Sequence, residues 1–267
     1  MTAALTAWVE SVGVLGPGLP DWPSAAAVLA GRTPYEPRPT VIPPLTSLPA
    51  AERRRTGKVV RLALTVGLEA VARAGADAAA LPAVFTSSGG DGENCHEICQ
   101  VLAGTERQIS PTRFHNSVHN AASGYWGIAT GATAASNALC AHDASFAAGL
   151  LEALVALCVD GTAVLVIAYD ADYPEPMRSV RPIPDAFGVA LLLTPDPRPA
   201  SLARLTAGLQ AAPAERLHDP QLEALRAQVP AARSLPLLRR IARAEPAAVA
   251  VDYVEEQRLV IEVSPCP

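Results

Sequence analysis

The chain has 267 residues, half of them hydrophobic but only 4% aromatic, with a formal net charge of −5. That length allows one large α/β unit or two small ones, with a core of closely packed small aliphatic side chains. The acidic balance leaves no electrostatic footprint for nucleic acid, and the largest basic group, Arg53, Arg54, Arg55, Lys58 and Arg61, reads as the solvated start of a helix.

The N-terminal stretch MTAALTAWVESVGVLG has no basic region ahead of its apolar part and is interrupted by Glu10, so it does not read as a signal peptide. No stretch approaches the roughly 20 apolar residues of a bilayer helix; even 144–169 is broken by Glu152, Asp160 and Gly161. A cytoplasmic protein without membrane attachment is expected. Five cysteines, at 95, 99, 140, 158 and 266, form an odd set with no secreted framework and are expected to be reduced. Cys140 and Cys158 lie in apolar contexts, where a cysteine usually packs as a small hydrophobe.

In chain order, 5–18 has a strand pattern closed by Gly and Pro, and 23–31 is a short helix with proline in its first turn. A proline-rich loop, 33–49, precedes a helix over 50–74, where Val59, Leu62, Ala63, Val66, Ala70 and Val71 recur at helical spacing and Gly75 supplies the stop. PAVFTSS, 82–88, is a buried strand, and 89–104 is a glycine turn into a helix. ISPTRFHNSVHN and ASGYWGIATG lead to a strand at 132–140 and a long helix at 144–159. TAVLVIAYDAD, 162–172, is an unbroken apolar run of the kind buried on both faces, and 186–195 is another strand. Beyond it, 202–210 reads as a strand, 214–229 and 234–244 as helices, and 248–254 with 258–264 as a hairpin. Strands alternating with helices predict an α/β fold with a mixed or parallel sheet covered on both sides.

Several of these segments, in order, resemble the N-terminal half of β-ketoacyl synthases. The carriers are RRRTGKVVRLALTVGLEAVARAGAD, FTSSGGDGENCHE, ISPTRFHNSVHNAASGYWGIATG, TAVLVIAYDAD and PDAFGVALLLTP, together covering about residues 3–195. The resemblance implies a thiolase-like layered fold with a complete N-terminal half, 1–195, and a strongly reduced C-terminal β-α-β-β remnant, 196–267, packed on it.

Family members attack with a cysteine at the start of the helix that precedes the strand after Gly161, and the family spacing counted back from Gly161 lands on Ala144. Two catalytic histidines come from the family's C-terminal half, whereas 196–267 holds one, His218, outside any glycine-rich setting. With nucleophile and imidazoles both missing, the chain resembles a chain-length factor, and most of all the truncated ketosynthase-like subunits of aryl polyene pigment clusters. This implies a heterodimer with a full-length β-ketoacyl synthase, contact with acyl carrier protein only indirectly, and no cofactor or metal. It also implies that the 132–140 strand pairs across the dimer axis, and that Ile109, Phe114, His115, Asn116, Tyr125, Trp126 and Phe146 are the interface or acyl-tunnel residues.

Plainer readings accompany these residues. Phe114 and Trp126 also read as core aromatics. Asn116, Ser117 and Asn120 read as turn or cap residues, Asp143 as the helix N-cap, and His142 as a polar turn residue. Three alternatives concern the whole chain. An active acyltransferase would use Cys140 or Ser145 with His142. A metal protein would use Cys95 and Cys99 with His115 and His119, two pairs each four residues apart. A homodimeric scaffold would have no ketosynthase partner.

Overall fold

The structure, a computed structural model, describes residues 4–105 and 107–266. Strand β1 (Leu5–Leu15) turns through Gly16 and Gly18 into helix α1 (Trp22–Leu29), whose N-cap Asp21 accepts the Ser24 N–H at 2.8 Å. The proline-rich stretch that follows holds no regular element until α2 (Ala50–Arg53). The expected single helix over 50–74 is two, because α3 (Lys58–Ala74) begins only after Gly57. Thr56 and Gly57 are poor helix formers, and the Asp91 carboxylate presses on Gly57 so closely that a Cβ there would lie 2.2 Å from Oδ2. Gly75 ends α3 in the left-handed region, φ 59°.

β2 (Ala83–Thr86), α4 (Gly92–Ala103), α5 (Pro111–His115), α6 (Ala121–Thr130) and β3 (Ser136–Leu139) follow. A 3-10 turn, His142–Ala144, opens into α7 (Ser145–Asp160). Then come β4 (Val164–Asp170), α8 (Met177–Val180), β5 (Phe187–Thr194) and β6 (Ala203–Ala211). The helix expected from 214 begins at Pro220 as α9 (Pro220–Gln228). Asp219 fixes that start, its carboxylate accepting the Gln221 and Leu222 N–H groups, with proline at the first helical position. A second 3-10 turn, Pro230–Ser234, α10 (Leu235–Arg243), β7 (Ala247–Asp252) and β8 (Gln257–Pro265) complete the described chain.

Among the described residues the strands form one eight-stranded sheet, ordered β3-β2-β4-β5-β1-β6-β8-β7. β3, β2 and β4 are parallel and every other neighbouring pair is antiparallel, so the mixed sheet expected from the sequence is the one observed. The β1–β5 register shifts between Val9 and Ser11, at Glu10, a buried carboxylate that accepts the Ser201 hydroxyl at 3.1 Å.

Alternate residues of β4 and β5 enter two cores. Val166, Ala168, Val189 and Leu191 meet α7 on one side, and Leu165, Ile167, Ala190 and Leu192 meet α3 and α6 on the other. β6, β8 and β7 bury one face only, against α10 and the 230–234 turn. α3 approaches β1 closely at Gly13, where a Cβ would lie 2.0 Å from the Val66 carbonyl oxygen.

Despite its interrupting charges, His142–Asp160 is long and apolar enough by composition to cross a membrane, with mean hydropathy 1.5, and half of it is buried in the fold. Val155, Cys158 and Val159 lie on its exposed face. That position corrects the reading of Cys158 as a packed thiol. Cys140 is exposed as well, just past the end of edge strand β3.

Candidate functional site

The start of α7 is where the resemblance locates the chemistry. Ala144 is 5% exposed and serves as the N-cap of α7 without any side-chain hydrogen bond. Asp143, expected in that capping role, lies one residue too early, inside the 3-10 turn, and makes no cap hydrogen bond to the helix. It accepts from Arg181 Nη2 at 2.7 Å and from Arg233 Nη2 at 3.1 Å. Burial acts to raise the Asp143 pKa, but the hydrogen bond to Arg181 and the charges of Arg233 and Arg181 outweigh it and hold the carboxyl below its usual range.

His142 adopts φ 51°, a left-handed conformation that costs a non-glycine residue about 1–3 kcal/mol. Its side chain is 72% exposed, and Arg181 Nη1 donates to its Nε2 at 2.7 Å. A ring nitrogen whose lone pair already accepts from a guanidinium cannot take a proton from a nucleophile. Ser145 is buried; its Oγ donates to the His142 carbonyl at 2.7 Å and accepts from the Ala141 N–H at 3.0 Å. Its hydrogen thus serves the turn. The Cys140 thiol donates to the Ser88 carbonyl at 3.1 Å. Ala144, Ser145 and Cys140 line none of five cavities among the described residues.

The junction is held from three sides. The Thr86 hydroxyl donates to the Ser145 carbonyl at 2.7 Å, and Gly149 packs on Thr86, where a Cβ would come within 2.5 Å. From the C-terminal part of the chain, Arg233 bridges Asp143 to Asp252, which also pairs with Arg226 at 3.0 Å. At the end of β4, fully buried Asp170 accepts the Ser88 N–H at 2.8 Å and the Ala231 N–H at 2.9 Å. Burial pushes its pKa up to about 6 against the hydrogen bonds that lower it. Arg181, Arg233 and Asp170 carry no local sequence signal that assigns them to this junction, since each reaches it from a distant segment.

The 109–126 segment divides by exposure. Phe114 is 69% exposed, which removes its reading as a core aromatic, and His115 is exposed with its ring edge-on to Tyr125. Ile109 is half-buried. Tyr125, Trp126 and Phe146 are buried within this chain, Trp126 edge-on to Phe85 at 6.3 Å. Asn116 is the C-cap of α5 through its backbone N–H, as a cap reading expects, but its side chain reaches further. Its Nδ2 donates to the Arg55 carbonyl at 2.7 Å and its Oδ1 accepts the Tyr125 hydroxyl at 3.1 Å, tying the segment to the start of α3. Ser117 does close its turn, donating to the Phe114 carbonyl, whereas Asn120 makes no side-chain cap bond.

The basic group at 54–61, read from sequence as a solvated helix start, lines a cleft of about 480 Å³ with Arg113, Asp91 and Glu93. The four-residue metal reading does not assemble: among the described residues no group of three or more His, Cys, Asp or Glu side chains converges at metal-binding distance. His119 Nε2 bonds the Leu139 carbonyl at 2.9 Å instead. Cys95 and Cys99 stand together on exposed α4, where burial and the neighbouring Cys99 push the Cys95 thiol pKa up.

β3 ends the sheet, with Ser136 and Asn137 exposed, and Val118 and Ile128 are uncovered on the adjoining segment and helix α6. The outer edge of β3 thus leaves backbone groups unpaired within this chain, beside exposed apolar side chains.

One mixed sheet between helical layers, with α7 beginning beside the ends of β2 and β4, is the architecture of thiolase-like ketosynthases. The profile described as "Beta-ketoacyl synthase, N-terminal domain" matches residues 23–254, and the chain belongs to that family. The match runs past residue 195 and takes in α9, α10 and β7. Among curated proteins, sequence comparison finds no match.

Solved structures do match. A chain of the ketosynthase ApeO in complex with its chain length factor ApeC, from Xenorhabdus doucetiae, aligns at TM-score 0.73 and 26% identity, covering 97% of this chain and 99% of that one. A chain of the ishigamide ketosynthase/chain length factor aligns at TM-score 0.73 and 14% identity, covering 98% and 100%. The ketosynthase from module 6 of the bacillaene synthase of Bacillus subtilis 168 aligns at TM-score 0.57 and 13% identity, with 84% of this chain covering only 44% of that one.

Proposed function

We propose that this chain is a non-catalytic, chain-length-factor-like subunit. It pairs with an active full-length β-ketoacyl synthase and shapes the acyl tunnel of a type II polyketide system of the aryl polyene kind. The observation that carries this reading is the α7 start. Ala144 stands at the nucleophile position, the adjacent serine hydroxyl serves the backbone, and the adjacent imidazole is held by Arg181. Acyl transfer needs a nucleophile and a base within hydrogen-bond reach of each other, and here the Cys140 thiol, the Ser145 hydroxyl and the His142 ring are each bonded to other groups. Lengths support the reading, since the matched chains from two ketosynthase and chain-length-factor complexes are covered almost end to end.

In this reading the open edge of β3 and exposed Phe114 meet the partner, and Ile109, His115 and Asn116 lie along the contact. Tyr125, Trp126 and Phe146 stiffen the wall behind them. Residues 196–267 are the reduced second half, clamped to the first by Arg233 and Asp170. The subunit works in the cytoplasm with no cofactor or metal of its own, and an acyl carrier protein reaches it through the partner.

Co-expression with a full-length ketosynthase followed by size-exclusion chromatography and acyl-carrier loading with intact mass tests this. A 1:1 complex whose acyl adduct sits only on the partner is expected. Persistent self-association, or an adduct on this chain alone, overturns the proposal.

A further inference from the structure

A cleft of about 460 Å³ lies between the end of α1, the proline-rich strap after it, the start of α9 and the last turn of α10. Arg239 and Arg243, both half-buried, form its polar wall, with exposed Arg32 and His218 at the rim. Among the described residues neither Arg32 nor Arg239 has a carboxylate within ion-pair distance, and Arg243 reaches only exposed Glu245, at 3.8 Å. The one carboxylate lining the cleft, Asp219, is committed to the α9 cap. Val28, Leu29, Leu217 and Leu222 line the rest.

Such an arrangement keeps positive charge in partly desolvated surroundings. Desolvation, then the nearby charges of Arg243 and Arg240, hold the Arg239 guanidinium below its ordinary pKa, and the Arg243 Nε is buried with no partner. In a chain with net charge −5, arginines paired only with a distant, exposed carboxylate and gathered in one cleft mark a place where an anion would be stabilised. Gly31, at φ 77°, leaves the space beside Arg243 free of any side chain.

We propose that this cleft binds an organic phosphate, its phosphoryl oxygens against Arg239 and Arg243 and its apolar body against Val28, Leu217 and Leu222. The geometry is independent of the α7 junction and of β3, so the site stands or falls apart from the partner role.

Isothermal titration of the whole chain with hexyl phosphate and with inorganic phosphate tests it at low salt. Hexyl phosphate should bind at least about tenfold more tightly than inorganic phosphate, because only the former has a body to bury. The double substitution Arg239→Gln with Arg243→Gln should weaken hexyl phosphate by about tenfold or more, the usual scale for losing charge-assisted hydrogen bonds. Arg54→Gln with Arg61→Gln, in the other basic cleft, should leave it unchanged. Arg239→Lys with Arg243→Lys keeps the charge and guards against misfolding, and should retain part of the affinity while the far-ultraviolet spectrum stays native. No binding by the unaltered chain, equal affinity for the two phosphates, or equal loss from either glutamine pair overturns the assignment.

Discussion

The sheet is built on different terms on the two sides of β1. β4 and β5 are buried at every residue and divide their side chains between two cores. β6 and β8 alternate buried with open positions, and their second face meets solvent with Arg204, Thr206 and Glu262. A strand packed on both sides tolerates neither lost nor added volume, whereas a strand packed on one side feels only what its inner face feels. Sensitivity to substitution should therefore fall sharply across β1, the strand both regions share.

The largest contrast is in truncation. Leu191→Ala, in β5, should cost about 2–5 kcal/mol, and Val260→Ala, on the half-open face of β8, under about 1 kcal/mol, both read from urea unfolding. Equal costs would mean that the second face of β8 is covered in solution. Gly13→Ala, which sets a methyl against the Val66 carbonyl, should lose about 1–3 kcal/mol by overpacking the contact of β1 with α3.

Asp170 joins the two regions through Ser88 and Ala231. Asp170→Asn should cost about 1–3 kcal/mol, because an amide offers one acceptor oxygen where the carboxylate offered two. The pH dependence sharpens that test. The folded pKa of about 6 lies above the ordinary 3.8, so this group's contribution to stability is fully present below 3.8 and is lost as pH rises through about 6. Thermal midpoints between pH 4 and 6 should decline less steeply in the asparagine variant than in the parent chain, and identical slopes would count against the assignment. The smallest effect has the opposite sign. Gly208→Ala, in β6 with nothing within 4 Å of the new methyl, should gain about 0.5–1 kcal/mol from a stiffer unfolded chain.

Legibility in the sequence follows the same division. The unbroken run VLVIAYD announced a two-faced strand, because burial on both faces leaves no polar alternation, whereas RLVIEVS read only as one arm of a hairpin and its single buried face emerged from the structure. The break at Thr56–Gly57 was hidden, since apolar spacing continues across it and its cause, Asp91, comes from another segment. At the candidate site, the family resemblance and its spacing pointed to Ala144 as the nucleophile position, but the guanidiniums of Arg181 and Arg233 around Asp143 carried no such signal. Local rules favoured a cap, while a charge pair from far along the chain outbid it. Cys140 misled for a similar reason, because apolar neighbours in sequence say nothing about whether a strand stands at the rim of a sheet.

The central placement of β1 also sets a timetable for biosynthesis. During synthesis β1 finds its two sheet neighbours only when residues 187–194 and 203–211 have emerged, so its apolar side chains wait without a home while about 170 residues are made. Nascent chains of this protein should depend on holding factors until β6 appears, and a ribosome stalled before it would carry an aggregation-prone β1.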